Sequence, residues 1–174
     1  MEKKKTLRQA ALNTLSSVAD RESKENAIAC AALSYVRENN VKSVAVYLSG
    51  KGEVSTDALI EGLFRENVRV YAPVIVGDGE MLFSEIFPDE AFVLNRYGLR
   101  EPIPKNTVED FDVLFVPLVA FDKDCHRLGR GKGFYDRFLH GKRAVKIGLA
   151  FAEQETEKVP CEAWDEPLDF VFFS

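Results

Sequence analysis

Residues 43–73, SVAVYLSGKGEVSTDALIEGLFRENVRVYAP, decide the fold. The stretch from Ser43 to Leu48 is short, β-branched and apolar, as in a strand covered on both faces. Ser49-Gly50-Lys51-Gly52 breaks it as a loop. From Ser55 the apolar residues Ala58, Leu59, Leu63 and Phe64 recur at the spacing of one helical face, leaving Asp57, Glu61 and Glu66 on the solvated side. Residues 68–73 return to strand. Strand, helix and strand in this length make a βαβ unit: the strands run parallel, because a parallel pair needs a crossover, and the helix lies outside the sheet.

The pattern continues outward. Residues 2–18 carry Leu7, Ala10, Ala11, Leu12, Leu15 and Val18 at helical spacing, and a second helix over 23–39 ends at Asn39-Asn40. Downstream, Gly77-Asp78-Gly79 separates two β-prone runs as a hairpin turn does. Residues 88–110, with Pro102 and Pro104, show no period and read mainly as loop. DVLFVP over 112–117 is a core strand, followed by a loop, a helix over 133–140 and strands over 144–150 and 169–173. The expectation is an α/β fold: a single three-layer α/β/α domain with a mainly parallel, Rossmann-like sheet and a small β-hairpin excursion.

A chain of 174 residues, 46% hydrophobic, suits one such domain. Its formal net charge of -5 argues against nonspecific binding to nucleic acid, so any anion site must be local. Cys30, Cys125 and Cys161 form neither an even disulfide set nor a metal-ligand spacing, and no apolar stretch is long enough to span a membrane. A cytoplasmic protein with free thiols and no membrane partner is expected, monomeric by default. His126 and His140 read as surface residues.

Ligands of open α/β sheets bind beyond the carboxyl ends of the strands, and the loop leaving Val116-Pro117 leads into RLGRGKGFYD, residues 127–136. Gly129, Gly131 and Gly133 let the backbone approach a ligand and turn its N–H groups inward, while the helix that follows adds the positive end of its dipole. Arg127, Arg130 and Lys132 set fixed charge between them. Asp136 is a hard oxygen ligand suited to Mg²⁺. The combination fits phosphoryl transfer, which needs positioning and charge neutralisation more than a nucleophile. Neither the Walker nor the dinucleotide-binding template applies. Far upstream, Lys4 and Arg8 are spaced i and i+4 at a helix start, where their charge opposes the dipole unless they meet an anion.

The segment VPLVAFDKDCHRLGRGKGFYDRFL (116–139) resembles the signature of the 5-formyltetrahydrofolate cyclo-ligase family. The resemblance extends, in order, to KKTLR at 4–8, YLSGKGEVST at 47–56, YGLREP at 97–102, IGLAFAEQ at 147–154 and VPCEAWDEPLD at 159–169. It implies an enzyme that cyclises 5-formyltetrahydrofolate to 5,10-methenyltetrahydrofolate, using ATP with Mg²⁺ and releasing ADP and phosphate. It assigns ATP to Lys4, Lys5, Arg8, Arg127, Leu128, Gly129, Arg130, Gly131, Lys132, Gly133, Phe134 and Tyr135. It assigns the folate to Leu48, Glu53, Arg130, Gly131, Lys132, Gly133 and Phe134, with Glu53 accepting from the pterin's N–H groups. Asp136 and Asp165 match the carboxylates associated with Mg²⁺. For that reaction Arg130 and Lys132 are the expected catalytic residues.

Two positions depart from the family's pattern. Trp164 stands where histidine is frequent and reads as a core tryptophan, which leaves Asp165 less secure as a ligand than Asp136. Phe134 stands where tyrosine is frequent, so ring stacking survives without the hydroxyl. Cys125, close to the basic loop, is expected to have a lowered pKa but no part in catalysis. A noncatalytic folate- or nucleotide-binding module, and a kinase or ligase acting on another carbonyl compound, stay open as alternatives.

Overall fold

A computed structural model describes residues 2–174. Helices α1 (Glu2–Leu15) and α2 (Arg21–Glu38) precede β1 (Ser43–Val46), which α3 (Asp57–Arg65) joins to β2 (Arg69–Ile75). β2 turns through Gly77-Asp78-Gly79 into antiparallel β3 (Met81–Ile86). Then come β4 (Phe92–Leu94), β5 (Arg100–Pro102), β6 (Thr107–Val108), β7 (Val113–Val116), β8 (Ala120–Phe121), β9 (Arg127–Leu128), α4 (Phe134–Leu139), β10 (Val145–Ala150) and β11 (Phe170–Phe173). The main sheet has seven strands in the order β11-β10-β7-β1-β2-β3-β6. β1 pairs in parallel with β2 and β7, and β10 pairs in parallel with β7 and β11; β3 and β6 extend one edge in antiparallel fashion.

Side chains alternate along each strand and make two cores. Val44, Val46, Val113, Phe115, Ile147 and Leu149 face Ile28, Ala32 and Val36 of α2 and Leu59 and Leu63 of α3. On the other face Ala45, Leu114, Val116 and Ala150 meet Leu139 of α4 together with Phe83, Phe111 and Leu168. Both faces of the central strands are thus covered, which is why their sequences are continuously apolar rather than alternating.

Element ends differ from expectation for local reasons. The first strand stops at Val46 instead of Leu48 because the Thr56 hydroxyl donates to the Tyr47 carbonyl at 2.7 Å, replacing a ladder bond. With its hydroxyl so occupied, Thr56 makes no side-chain cap, and α3 begins at Asp57 rather than Ser55. α1 ends at Leu15, where the Ser16 and Ser17 hydroxyls donate to the carbonyls of Asn13 and Thr14 and compete with the helix. Residues 88–110 are not mainly loop: β4 and β5 form a hairpin, and β6 pairs with β3. Strands of two and three residues carry no detectable period. The hairpin is organised by side chains instead, with Asn95 Oδ1 accepting from the N–H groups of Tyr97 and Leu99, and Glu101 accepting from Asn95 Nδ2 and the N–H of Ile75.

After β1 the chain crosses to β2 on one side, and after β7 it crosses to β10 on the other. The order reverses between β1 and β7, and the loops leaving their carboxyl ends diverge there to leave a crevice.

Candidate functional site

That crevice is a cavity of about 700 Å³. Its walls are the loop after β1, the β4–β5 hairpin, residues 127–136 after β7, the side chains of Lys4 and Arg8 from α1, and Glu162, Trp164 and Asp165 near the C-terminus.

The glycine loop is held from below. Arg127 and Leu128 form β9, paired with Phe121 and Ala120 of β8, and the turn between the strands closes on Asp122. This carboxylate accepts the N–H groups of Asp124 and His126 at 3.0 Å and of Val159 at 2.9 Å. Burial opposes its ionisation, but the N–H groups of Val159 and His126 outweigh that and hold its pKa below the ordinary carboxylate range. Asp122 was not singled out from sequence; an aspartate two residues before a backbone N–H that it accepts is an Asx turn, the one local sign available.

Above β9, the Arg127 side chain is 4% exposed and donates to Asp136 Oδ1 at 2.6 Å. Its Nε is buried without a partner. Burial lowers its pKa against the pull of Asp136. Gly131 and Gly133 have φ of 93° and 69°, a region that side chains disfavour, and this bends the chain back over the cavity. Arg8 donates to the Gly129 carbonyl at 2.8 Å and lays its guanidinium against Gly131.

The far side of the loop leans toward the β1 loop and the β4–β5 hairpin. Arg130 donates to Glu53 Oε1 at 2.9 Å and to the Lys51 carbonyl at 2.7 Å, while Glu53 Oε2 accepts the N–H of Gly50. The Lys132 ammonium stands 5.4 Å from the Tyr97 ring centroid, and Phe134 meets the same ring edge-on at 6.0 Å. Arg137 straps this half down, donating to the carbonyls of Gly79 at 2.7 Å and Lys132 at 2.8 Å. Burial raises the pKa of both Tyr47 and Tyr135, so both phenols are neutral.

On the opposite wall, Lys4 resolves the charge anomaly of α1. Its ammonium lies 2.5 Å from Asp165 Oδ2 and 3.2 Å from Glu162 Oε2. Partial burial works against its charge, but these two carboxylates prevail and raise its pKa.

The chain as a whole is similar to known proteins. The model of the 5-formyltetrahydrofolate cyclo-ligase family matches residues 1–174. The chain belongs to that family. It is 44% identical over 140 residues to 5-formyltetrahydrofolate cyclo-ligase of Escherichia coli, covering 74% of this chain and 76% of that protein. With the enzyme of the same name from Haemophilus influenzae it is 40% identical over 156 residues, 83% and 82% of the two chains. Among solved structures, a 5,10-methenyltetrahydrofolate synthetase from Aquifex aeolicus superposes with a TM-score of 0.81 at 30% identity, covering 98% of this chain and 89% of that one. One from Mycoplasma pneumoniae gives 0.76 at 25% identity over 97% of each.

With the cyclo-ligase family established, the expected site residues can be located. Lys4, Arg8, Leu48, Glu53, Asp165 and all of Arg127, Leu128, Gly129, Arg130, Gly131, Lys132, Gly133, Phe134, Tyr135 and Asp136 line the one cavity. Lys5 does not: it is exposed and outside the lining, because one step along a helix turns a side chain by about 100°. Trp164 is no core residue. It is 69% exposed on the cavity wall, since the loop that carries it is anchored by Asp165 rather than by apolar packing. The Cys125 thiol is pushed up rather than lowered, by partial burial and by Asp122, and no cation of the loop offsets them. All three cysteines are free, and no helix among the described residues is long and apolar enough to cross a membrane. Tyr97 and Arg137 were missed as site residues, since nothing local marks a side chain whose partners come from other loops.

Asp136 and Asp165 suit a divalent cation by donor chemistry. Each has one oxygen on a cationic side chain and a second oxygen to offer, and Mg²⁺ bound with nucleotide phosphates takes only one or two protein carboxylates. Asp122, Asp124 and His126 also lie close together, but Asp122 is committed to backbone N–H groups there.

Proposed function

We propose that the chain catalyses the ATP-dependent cyclisation of 5-formyltetrahydrofolate to 5,10-methenyltetrahydrofolate, with release of ADP and phosphate. What carries the proposal is the joining of two chemistries in one cavity. Arg8, Arg127, Arg130 and Lys132 make an anion cradle, and beside it Leu48, Tyr97 and Glu53 make a partly apolar wall with one carboxylate. The buried, partnerless Nε of Arg127 is the kind of donor that a phosphate oxygen satisfies.

The formyl oxygen is a poor leaving group. Its attack on the γ-phosphorus of ATP, with ADP departing, converts it to a phosphate ester; N10 then closes on the activated carbon, and phosphate leaves with the N10 proton as the methenyl bridge forms. The protein aligns oxygen and phosphorus and neutralises the developing charge. In this reading Glu53 exchanges Arg130 for the pterin's N–H groups, which frees Arg130 to join Lys132 on the transferring phosphoryl group. Asp136 and Asp165 would hold Mg²⁺, which when bound supplies charge neutralisation to the nucleotide phosphates. The activity is assigned to the cytoplasm, in keeping with free thiols. Every group invoked comes from one chain, so a monomer suffices.

Absorbance of the methenyl product on mixing protein, Mg-ATP and 5-formyltetrahydrofolate tests the proposal. Product is expected in a one-to-one ratio with ADP, and omitting ATP or chelating Mg²⁺ is expected to stop it. No product with all reagents saturating would sink the assignment.

A further inference from the structure

Trp164 is the one tryptophan of the chain, 69% exposed, and takes part in none of the aromatic pairs found among the described residues. A large ring left open to solvent on a ligand cavity, at a cost in apolar exposure, is a surface for another flat ring. We propose that Trp164 is the stacking platform for the purine base of the nucleotide. The inference rests on the ATP reading above and adds the direction in which the nucleotide lies.

That direction follows from the cavity's two ends. The glycine loop runs between them. Arg130 and Lys132 lean to the Glu53 and Tyr97 end, and Arg8 touches Gly129 and Gly131 from the α1 end. The γ-phosphoryl group must meet the formyl oxygen, so it belongs at the Glu53 end, where Leu48, Tyr97 and Phe134 already furnish an apolar wall. The base then lies at the α1 end. Trp164 is there, next in sequence to Asp165, whose carboxylate is 2.5 Å from Lys4. Tyr135, another ring on the cavity, is only partly exposed, because it packs against both cores beneath the loop, whereas Trp164 is open to solvent. Lys4 sets one positive charge against the two carboxylates of Glu162 and Asp165, so the wall beside Trp164 keeps a net negative charge and suits an uncharged heterocycle better than a bare phosphate.

The single tryptophan makes the test direct, in the intact protein. ATP and ADP are expected to quench its fluorescence, and inorganic tripolyphosphate, which competes for the same cations, is not. Trp164→Ala is expected to raise KM for ATP about tenfold or more, the size of one lost base stack. KM for the folate and inhibition by tripolyphosphate should stay as they are, and Trp164→Phe should recover most of the loss. The melting temperature should hold, because the ring packs in no core. If the wild type turns over ATP but Trp164→Ala leaves its KM unchanged, or raises the folate KM instead, the platform is refuted and the ATP reading stands. If the wild type makes no product with ATP, both fall together.

Discussion

Replacing Asp136 by asparagine separates two duties of one carboxylate. In the free protein Asp136 is the counter-charge of Arg127, at 2.6 Å, with side chains 29% and 4% exposed respectively. Removing one partner of a fully buried pair costs about 3–5 kcal/mol, and of an exposed pair about 0–1 kcal/mol. With one member buried and the other partly open, and with an amide oxygen still able to accept, Asp136→Asn is expected to cost about 2 kcal/mol. For a chain of this size that lowers Tm by about 4–8 °C. Arg127→Met removes the buried charge itself, so adding it to Asp136→Asn should restore part of the loss. Thermal unfolding by circular dichroism reads the single and double variants. Tripolyphosphate should protect Asp136→Asn more than the wild type, because it supplies the anion Arg127 has lost. In turnover, Asp136→Asn should need more Mg²⁺. A Tm within 1 °C of wild type would refute the counter-charge argument, and an unchanged Mg²⁺ requirement would refute the metal assignment.

Lys132→Ala is expected to lower kcat by about 10²–10³, the worth of one charge-stabilising donor, while Tm barely moves, because the residue is exposed on a loop; a Tm drop with activity spared would overturn its role. Arg137→Ala cuts the strap from α4 to the carbonyls of Gly79 and Lys132, and a misplacement of about 1 Å can cost on the order of 10²-fold in rate. A kcat/KM unchanged in that variant would show that the loop holds its shape without the strap. Asp122, with a native pKa below its unfolded value of about 3.9, contributes stability that is fully present above that pH and is lost as pH falls through the native value. Asp122→Asn should therefore lower Tm at neutral pH and flatten its decline below about pH 4; parallel Tm–pH curves for the two proteins would count against this.

The parallel core was open to sequence reading because each of its strands is a local statement. Val44 to Val46, Val113 to Val116 and Ile147 to Ala150 are apolar on both faces, and the turn at Gly77-Asp78-Gly79 announces a hairpin. The β4–β5 hairpin escaped because it depends on Asn95 and Glu101 bonding to particular N–H groups, which no periodicity records.

The same division holds in the site. The sequence by itself determined that residues 127–136 form a glycine-rich basic loop beyond a buried parallel strand, since glycine spacing, basic residues and strand burial are all properties of neighbours along the chain. Only the tertiary structure decided which charge meets which: Lys4 reaches Asp165 across 161 positions, and Arg130 reaches Glu53 across 77. It also decided that Trp164 faces the cavity rather than the core. An ion pair depends on distance in space and on the water excluded around it, and neither is set until the sheet has brought β1, β7 and the two ends of the chain to one edge.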